Sequence, residues 1–233
     1  MKWITSWTWS SFKEKNSSQI LPKTHEATEV VEIIGARIVE ASGLDSREWE
    51  FIVVVDDTAN AFALPGGKVV VFSGLFDATP NIDALASVLG HEVAHVLANH
   101  GGEKISKSVL VYVLMCVLLA VTDGFDFFQV AQFLGNIIFE LPNSREMETE
   151  ADFIGMQLMA KACFDPNEMP ETFARMEMLV EESGAEREPE YLSTHPGCDA
   201  RIARQKEWID SALQIQMRSS CSELEEWATF GES

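Results

Sequence analysis

Between Glu26 and Ala41 the apolar residues Val30, Ile33, Ile34, Ile38 and Ala41 recur every three or four positions, which predicts an amphipathic helix. Two β-branched runs follow. Glu50–Val55 is closed by Asp56 and Asp57, and Lys68–Phe72 is preceded by the turn signal Pro65-Gly66-Gly67, so both read as strands of one small sheet. Pro80 and Asn81 then open a helix in which Ile82, Leu85, Leu89, Val93, Val96 and Leu97 keep helical spacing up to Gly101-Gly102. Further helices are predicted from about Arg145 to Lys161, ended by Asp165-Pro166, from Pro170 to Glu182, and from Cys198 to Met217, with an acidic loop at Glu186–Glu190. The pattern predicts an α+β chain, mainly helical, with one domain over 26–217, an N-terminal segment 1–25 and an acidic tail 218–233.

Two longer apolar stretches separate these helices. Val109–Val121 has 13 residues, short of the ~20 that a spanning helix needs, and Phe125–Leu141 is interrupted by Asp126, Gln129, Gln132, Gly135 and Asn136. The pair reads as a helical hairpin, with buried core favoured over membrane contact. At the N-terminus Trp3, Trp7, Trp9 and Phe12 stand beside Lys2, Lys13 and Lys15, a mixture suited either to packing on the domain or to a membrane interface. No apolar core or cleavage site of a secretory signal accompanies it.

Charge narrows the function. Seventeen Lys and Arg against 37 Asp and Glu give a net charge of −20, which opposes binding to nucleic acid or anionic lipid. The four cysteines, Cys116, Cys163, Cys198 and Cys221, form no CxxC pair and are expected to be ordinary thiols, although a single bridge stays open.

Chemistry enters at His91-Glu92-Val93-Ala94-His95. Histidines four apart on a helix share a face, so both rings reach one metal, and Glu92 can meet a water on that metal. Satisfied core or surface histidines are the bland alternative. Here the rings sit among Leu89, Val93, Val96 and Leu97, where two imidazoles without a ligand would be costly to bury. Catalytic zinc needs a third protein ligand. His100 is one residue early for the HExxHxxGxxH pattern and Ala98 replaces its glycine, so His100 is assigned a supporting or helix-end role. Glu148 and Asp152 are also four apart on a predicted helix, which lets Glu148 bind the metal while Asp152 accepts a hydrogen bond from a ligand ring. An acidic first turn is by itself what a helix dipole favours, and HExxH upstream shifts the balance.

The order of motifs, His91–His95 and then Ser144–Gly155 (SRxxExEADxxG), resembles the zinc metallopeptidases that include the CAAX prenyl proteases and HtpX-like proteases, and in particular the Oma-type branch of the mitochondrial inner membrane. The likeness extends from about Val53 to Trp208, through Asn60–Gly67, Leu141–Arg145, Met159–Pro166 and Leu192–Pro196. It implies a zincin-like fold, one zinc ion on His91, His95 and Glu148, Glu92 as general base, and His195 either stabilising the oxyanion or filling the open metal position. Asn60 and Arg201 are weaker candidates of the same kind. Lys68–Phe72 is the candidate edge strand for an extended peptide, with Lys68 and Val70 as substrate contacts. The resemblance further implies a membrane-associated or misfolded polypeptide substrate and a role in quality control at the mitochondrial inner membrane, while peripheral membrane contact and self-association stay open. A zinc-stabilised scaffold that cleaves nothing is the competing reading.

Overall fold

Among the described residues three helices begin at side-chain caps, and two of them carry the candidate site. The computed structural model describes residues 2–44, 49–106, 144–182, 191, 195, 198–219 and 221. Its elements are α1 (Lys2–Lys15), α2 (Glu26–Ser42), β1 (Glu50–Val54), β2 (Ala61–Leu64), β3 (Lys68–Phe72), a 3-10 turn (Ser73–Asp77), α3 (Ile82–Leu97), α4 (Arg145–Lys161), α5 (Glu168–Glu182) and α6 (Cys198–Arg218). A further helical stretch covers 100–106. His25 caps α2 by accepting the Ala27 N–H. Asn81 Oδ1 accepts the Ala84 N–H at 2.7 Å and starts α3, and Ser144 Oγ accepts the Met147 N–H at 3.3 Å and starts α4.

The sheet runs in the order β1-β3-β2, with β1 parallel and β2 antiparallel to β3. Gly66 and Gly67, at φ 93° and 80°, make the tight β2–β3 turn, a conformation that disfavours residues with a Cβ. This corrects the expected edge: Lys68–Phe72 is the central strand, and β2 lies at the border. Short apolar β2, buried only at Ala61 and Leu64, lacks the β-branched signal that marked its neighbours.

Both faces of the sheet are covered, which explains the unbroken apolar runs of β1 and β3. One face, with Phe51, Val53, Val69 and Val71, joins α2 to α5 in the main core. The other, with Ile52, Val54, Leu64 and Val70, is covered by Trp9 of α1. Trp9 Nε1 donates to Glu50 at 2.7 Å and Lys13 reaches the same carboxylate at 2.9 Å, so this part of the N-terminal segment packs on the domain.

Helices α3 and α4 meet backbone to backbone. A Cβ placed on Gly155 would lie 2.9 Å from His91 N and from Gly90 C. That close crossing brings the start of α4 against the HExxH turn. After α4 the chain turns through Cys163, at φ 69°, which is disulfide-bonded to Cys221 just beyond α6. The expectation of free thiols is thereby corrected for this pair, because the C-terminal ends of two packed helices bring together cysteines 58 positions apart. Among the described residues no helix is long and apolar enough to cross a membrane. The expected hairpin at 109–141 and the acidic loop at 186–190 lie outside the described residues, as does most of the tail.

Candidate metal centre

His91 and His95 project from one face of α3, and Glu148 enters from the first turn of α4; His91 and Glu148 are fully buried, and His95 is 7% exposed. His91 Nε2 lies 3.3 Å from Glu148 Oε2, His95 Nε2 lies 3.3 Å from Glu148 Oε1, and the two Nε2 atoms are 2.9 Å apart. Ligand atoms of His91, His95, Glu148 and His195 all fall within 4.8 Å of one another. Donors bound tetrahedrally at zinc–ligand lengths near 2.0–2.1 Å stand about 3.3–3.4 Å apart, close to these separations. Neither Glu148 oxygen has an aligned hydrogen-bond donor among the described residues, although both are buried. Arg201 lies 2.9 Å from Glu148 Oε2 on one side, and on the other the carboxylate faces two imidazole nitrogens, a converging donor set that fits zinc.

Each of these side chains is held from behind. His91 Nδ1 stands 2.9 Å from Asp152 Oδ1, and Asp152 is gripped by Arg201 through two 2.7 Å hydrogen bonds. Arg201 also approaches Glu148 at 2.9 Å, donates to the His195 carbonyl at 2.9 Å, and lies over the Phe173 ring. His95 Nδ1 faces His100 Nδ1 at 2.7 Å. The His195 ring stacks on Tyr191, and its Nδ1 donates to the Tyr191 carbonyl at 3.0 Å, which turns Nε2 toward Glu92, 3.4 Å away.

Electrostatics separate the two glutamates. Burial pushes the Glu92 carboxyl up to about 7, within the range where it exchanges protons near neutrality. The Ala63 amide of β2 hydrogen-bonds this carboxylate, so the border strand runs beside the base. Burial would raise Glu148 as well, but His195 and His91 outweigh it and hold Glu148 well below the usual carboxylate range. Burial lowers His95 to about 4, leaving an uncharged ring able to bind a metal. His91 is raised to about 9: burial acts downward, and Glu148 and Asp152 overcome it.

Of the residues singled out in the sequence, His91, Glu92, His95, Glu148, Asp152 and His195 gather in one buried cluster. Lys68 and Val70 do not face a peptide edge: Val70 is fully buried under Trp9, and Lys68 lies 3.4 Å from Glu50. Arg201, expected near substrate, is 4% exposed and engaged by Asp152 and Glu148, a positioning role. Asn60 is buried before β2, and its carbonyl accepts the Phe72 N–H. Tyr191 was missed. Its four-residue offset from His195 is the signal that would have found it, and its ring, fully buried, also meets His91 edge-on.

An HExxH helix completed by a carboxylate from a second helix defines a metallopeptidase centre of the gluzincin kind. The chain belongs to peptidase family M48, whose model matches residues 25–209. It is 38% identical over 238 residues to the mitochondrial metalloendopeptidase OMA1 of Saccharomyces cerevisiae, covering 95% of this chain and 67% of the relative. To its Schizosaccharomyces pombe namesake it is 40% identical over 204 residues, 87% of this chain and 59% of the relative. A putative beta-barrel assembly-enhancing protease of Vibrio cholerae is 32% identical over 188 residues, 77% and 38% of the two chains. The chain thus spans between about two fifths and two thirds of these relatives.

Proposed function

We propose that this protein is a zinc-dependent endopeptidase in which His91, His95 and Glu148 hold the metal and Glu92 is the general base. The observation that carries this reading is the convergence of the buried Glu148 carboxylate with two ring nitrogens of α3, 3.3 Å from each, at separations one zinc ion accepts. Zinc, when bound, supplies Lewis acidity for a peptide carbonyl and lowers the pKa of water to about 7. Glu92 takes a proton from the attacking water and returns it to the leaving amine, a task suited to a carboxyl that titrates near 7. An extended peptide adds to the border strand β2, whose Ala63 amide meets Glu92, and so presents its scissile bond beside the base.

His195 adds regulation to the reading. With Nδ1–H committed to the Tyr191 carbonyl, Nε2 presents its lone pair within the ligand cluster, and His195 is a fourth donor that closes the site at rest. The names of the OMA1 relatives support a mitochondrial setting, where the substrate would be a membrane-associated or misfolded polypeptide. Casein hydrolysis by wild type and Glu92→Gln, each with and without chelator, tests the activity. The expected result is chelator-sensitive cleavage by wild type and none by Glu92→Gln. Zinc uptake without cleavage under any activating condition would support the scaffold reading instead.

A further inference from the structure

Chain geometry after α3 brings a third histidine behind the centre. In a continuous helix, residues 95 and 100 would point about 140° apart, which would keep the His100 ring away from His95. The helix instead stops at Leu97, with Ala98 as its C-cap, and Asn99 adopts φ 58° before a new helical stretch starts at 100. This kink turns His100, 2% exposed, back onto His95. The result is a linear contact: His95 Nδ1 to His100 Nδ1 at 2.7 Å, then His100 Nε2 to Glu150 Oε2 at 3.2 Å.

Resting on the zinc reading above, we propose that His100 is a positioning residue which, with Glu150, fixes which nitrogen of His95 carries the hydrogen. Two ring nitrogens 2.7 Å apart hold one hydrogen between them, since two would clash and none would set lone pair against lone pair. The carboxylate of Glu150 only accepts, so the hydrogen of His100 belongs on Nε2. His100 Nδ1 is then an acceptor, and His95 must donate from Nδ1. That leaves the His95 Nε2 lone pair directed at His91 and Glu148, the form a metal requires. The line of contacts also ties the kink after α3 to α4, which carries both Glu148 and Glu150. Asp152 and Arg201 perform the corresponding task for His91 from the opposite side.

The test is zinc affinity of the full chain, measured by competition with a chromophoric chelator, in wild type, His100→Phe and His100→Asn. Phenylalanine fills the space without an acceptor, whereas the asparagine oxygen can take the place of Nδ1. His100→Phe should bind zinc about 10–100-fold more weakly, as expected on losing a group that orients a ligand, and His100→Asn should recover to within about threefold of wild type. Melting of the metal-free proteins reports packing separately. His100→Phe within about twofold of wild type, or His100→Asn as weak as His100→Phe, overturns the proposal. Should His100→Phe fail to fold, long-range proton–nitrogen NMR of the zinc-loaded wild type decides: hydrogens on His95 Nδ1 and His100 Nε2 support the proposal, and a hydrogen on His100 Nδ1 refutes it. Wild type that takes up no zinc would overturn the peptidase reading itself, a result distinct from normal uptake that is insensitive to His100.

Discussion

Gly155→Ala tests whether the helix crossing sets the metal geometry. The added Cβ would sit 2.9 Å from His91 N and Gly90 C, whereas ordinary contacts begin at 3.4 Å, so α3 and α4 must part by about 0.5 Å. The opposing atoms are backbone and cannot rotate away, which places the clash toward the upper end of the ~1–3 kcal/mol typical of overpacking. Alanine's better helix propensity returns about 1 kcal/mol, for a net loss of roughly 2 kcal/mol. In a domain of this size the metal-free protein should then melt about 4–8 °C lower. Zinc binding should suffer as well, because metal–ligand lengths tolerate only about ±0.2 Å and Gly155 abuts the amide of His91. Differential scanning fluorimetry and a zinc competition titration measure the two effects. A Gly155→Ala protein that melts within 1 °C of wild type and binds zinc within about twofold would refute the argument.

Other outcomes follow from the same geometry. Burial raises Glu92 above the usual carboxylate range, so cleavage at saturating zinc should decline on the acid side as the protonated carboxyl can no longer accept the water's proton. A flat rate profile between about pH 5.5 and 8 would contradict it. His195→Ala should raise basal casein hydrolysis by removing the fourth donor, and a fall would show that the ring serves the transition state instead. Arg201→Met leaves two buried carboxylates without their cation and should cost about 3–5 kcal/mol in urea denaturation. A loss below about 1 kcal/mol would mean that Arg201 does not hold them.

Helical spacing made His91, His95, Glu148 and Asp152 readable in the sequence, because i and i+4 positions share a face whatever the tertiary setting. Strand order was not readable. A fully buried strand and a border strand both appear as short apolar runs, and only the pairing of β3 with β1 on one side and β2 on the other shows that it is central. Arg201 was found as a residue but misread as a contact for substrate, since its pairing with Asp152, 49 positions away, depends on how α6 packs on α4. The Cys163–Cys221 pairing likewise depends on two helix ends meeting in space. The offset of His100 reads as a supporting or helix-end role, whereas its turn onto His95 depends on Asn99 adopting a left-handed backbone, which no hydrophobic pattern records.

The central claim is that one cation is gripped by two rings of α3 and a carboxylate of α4. Zinc affinity of Glu148→Ala against wild type, titrated with a competing chelator, tests it most directly. One zinc per chain in wild type, bound at least about 100-fold more weakly after the substitution, is the predicted result. Equal stoichiometry with affinity within about threefold of wild type would contradict the account, since the buried carboxylate would then not be a ligand.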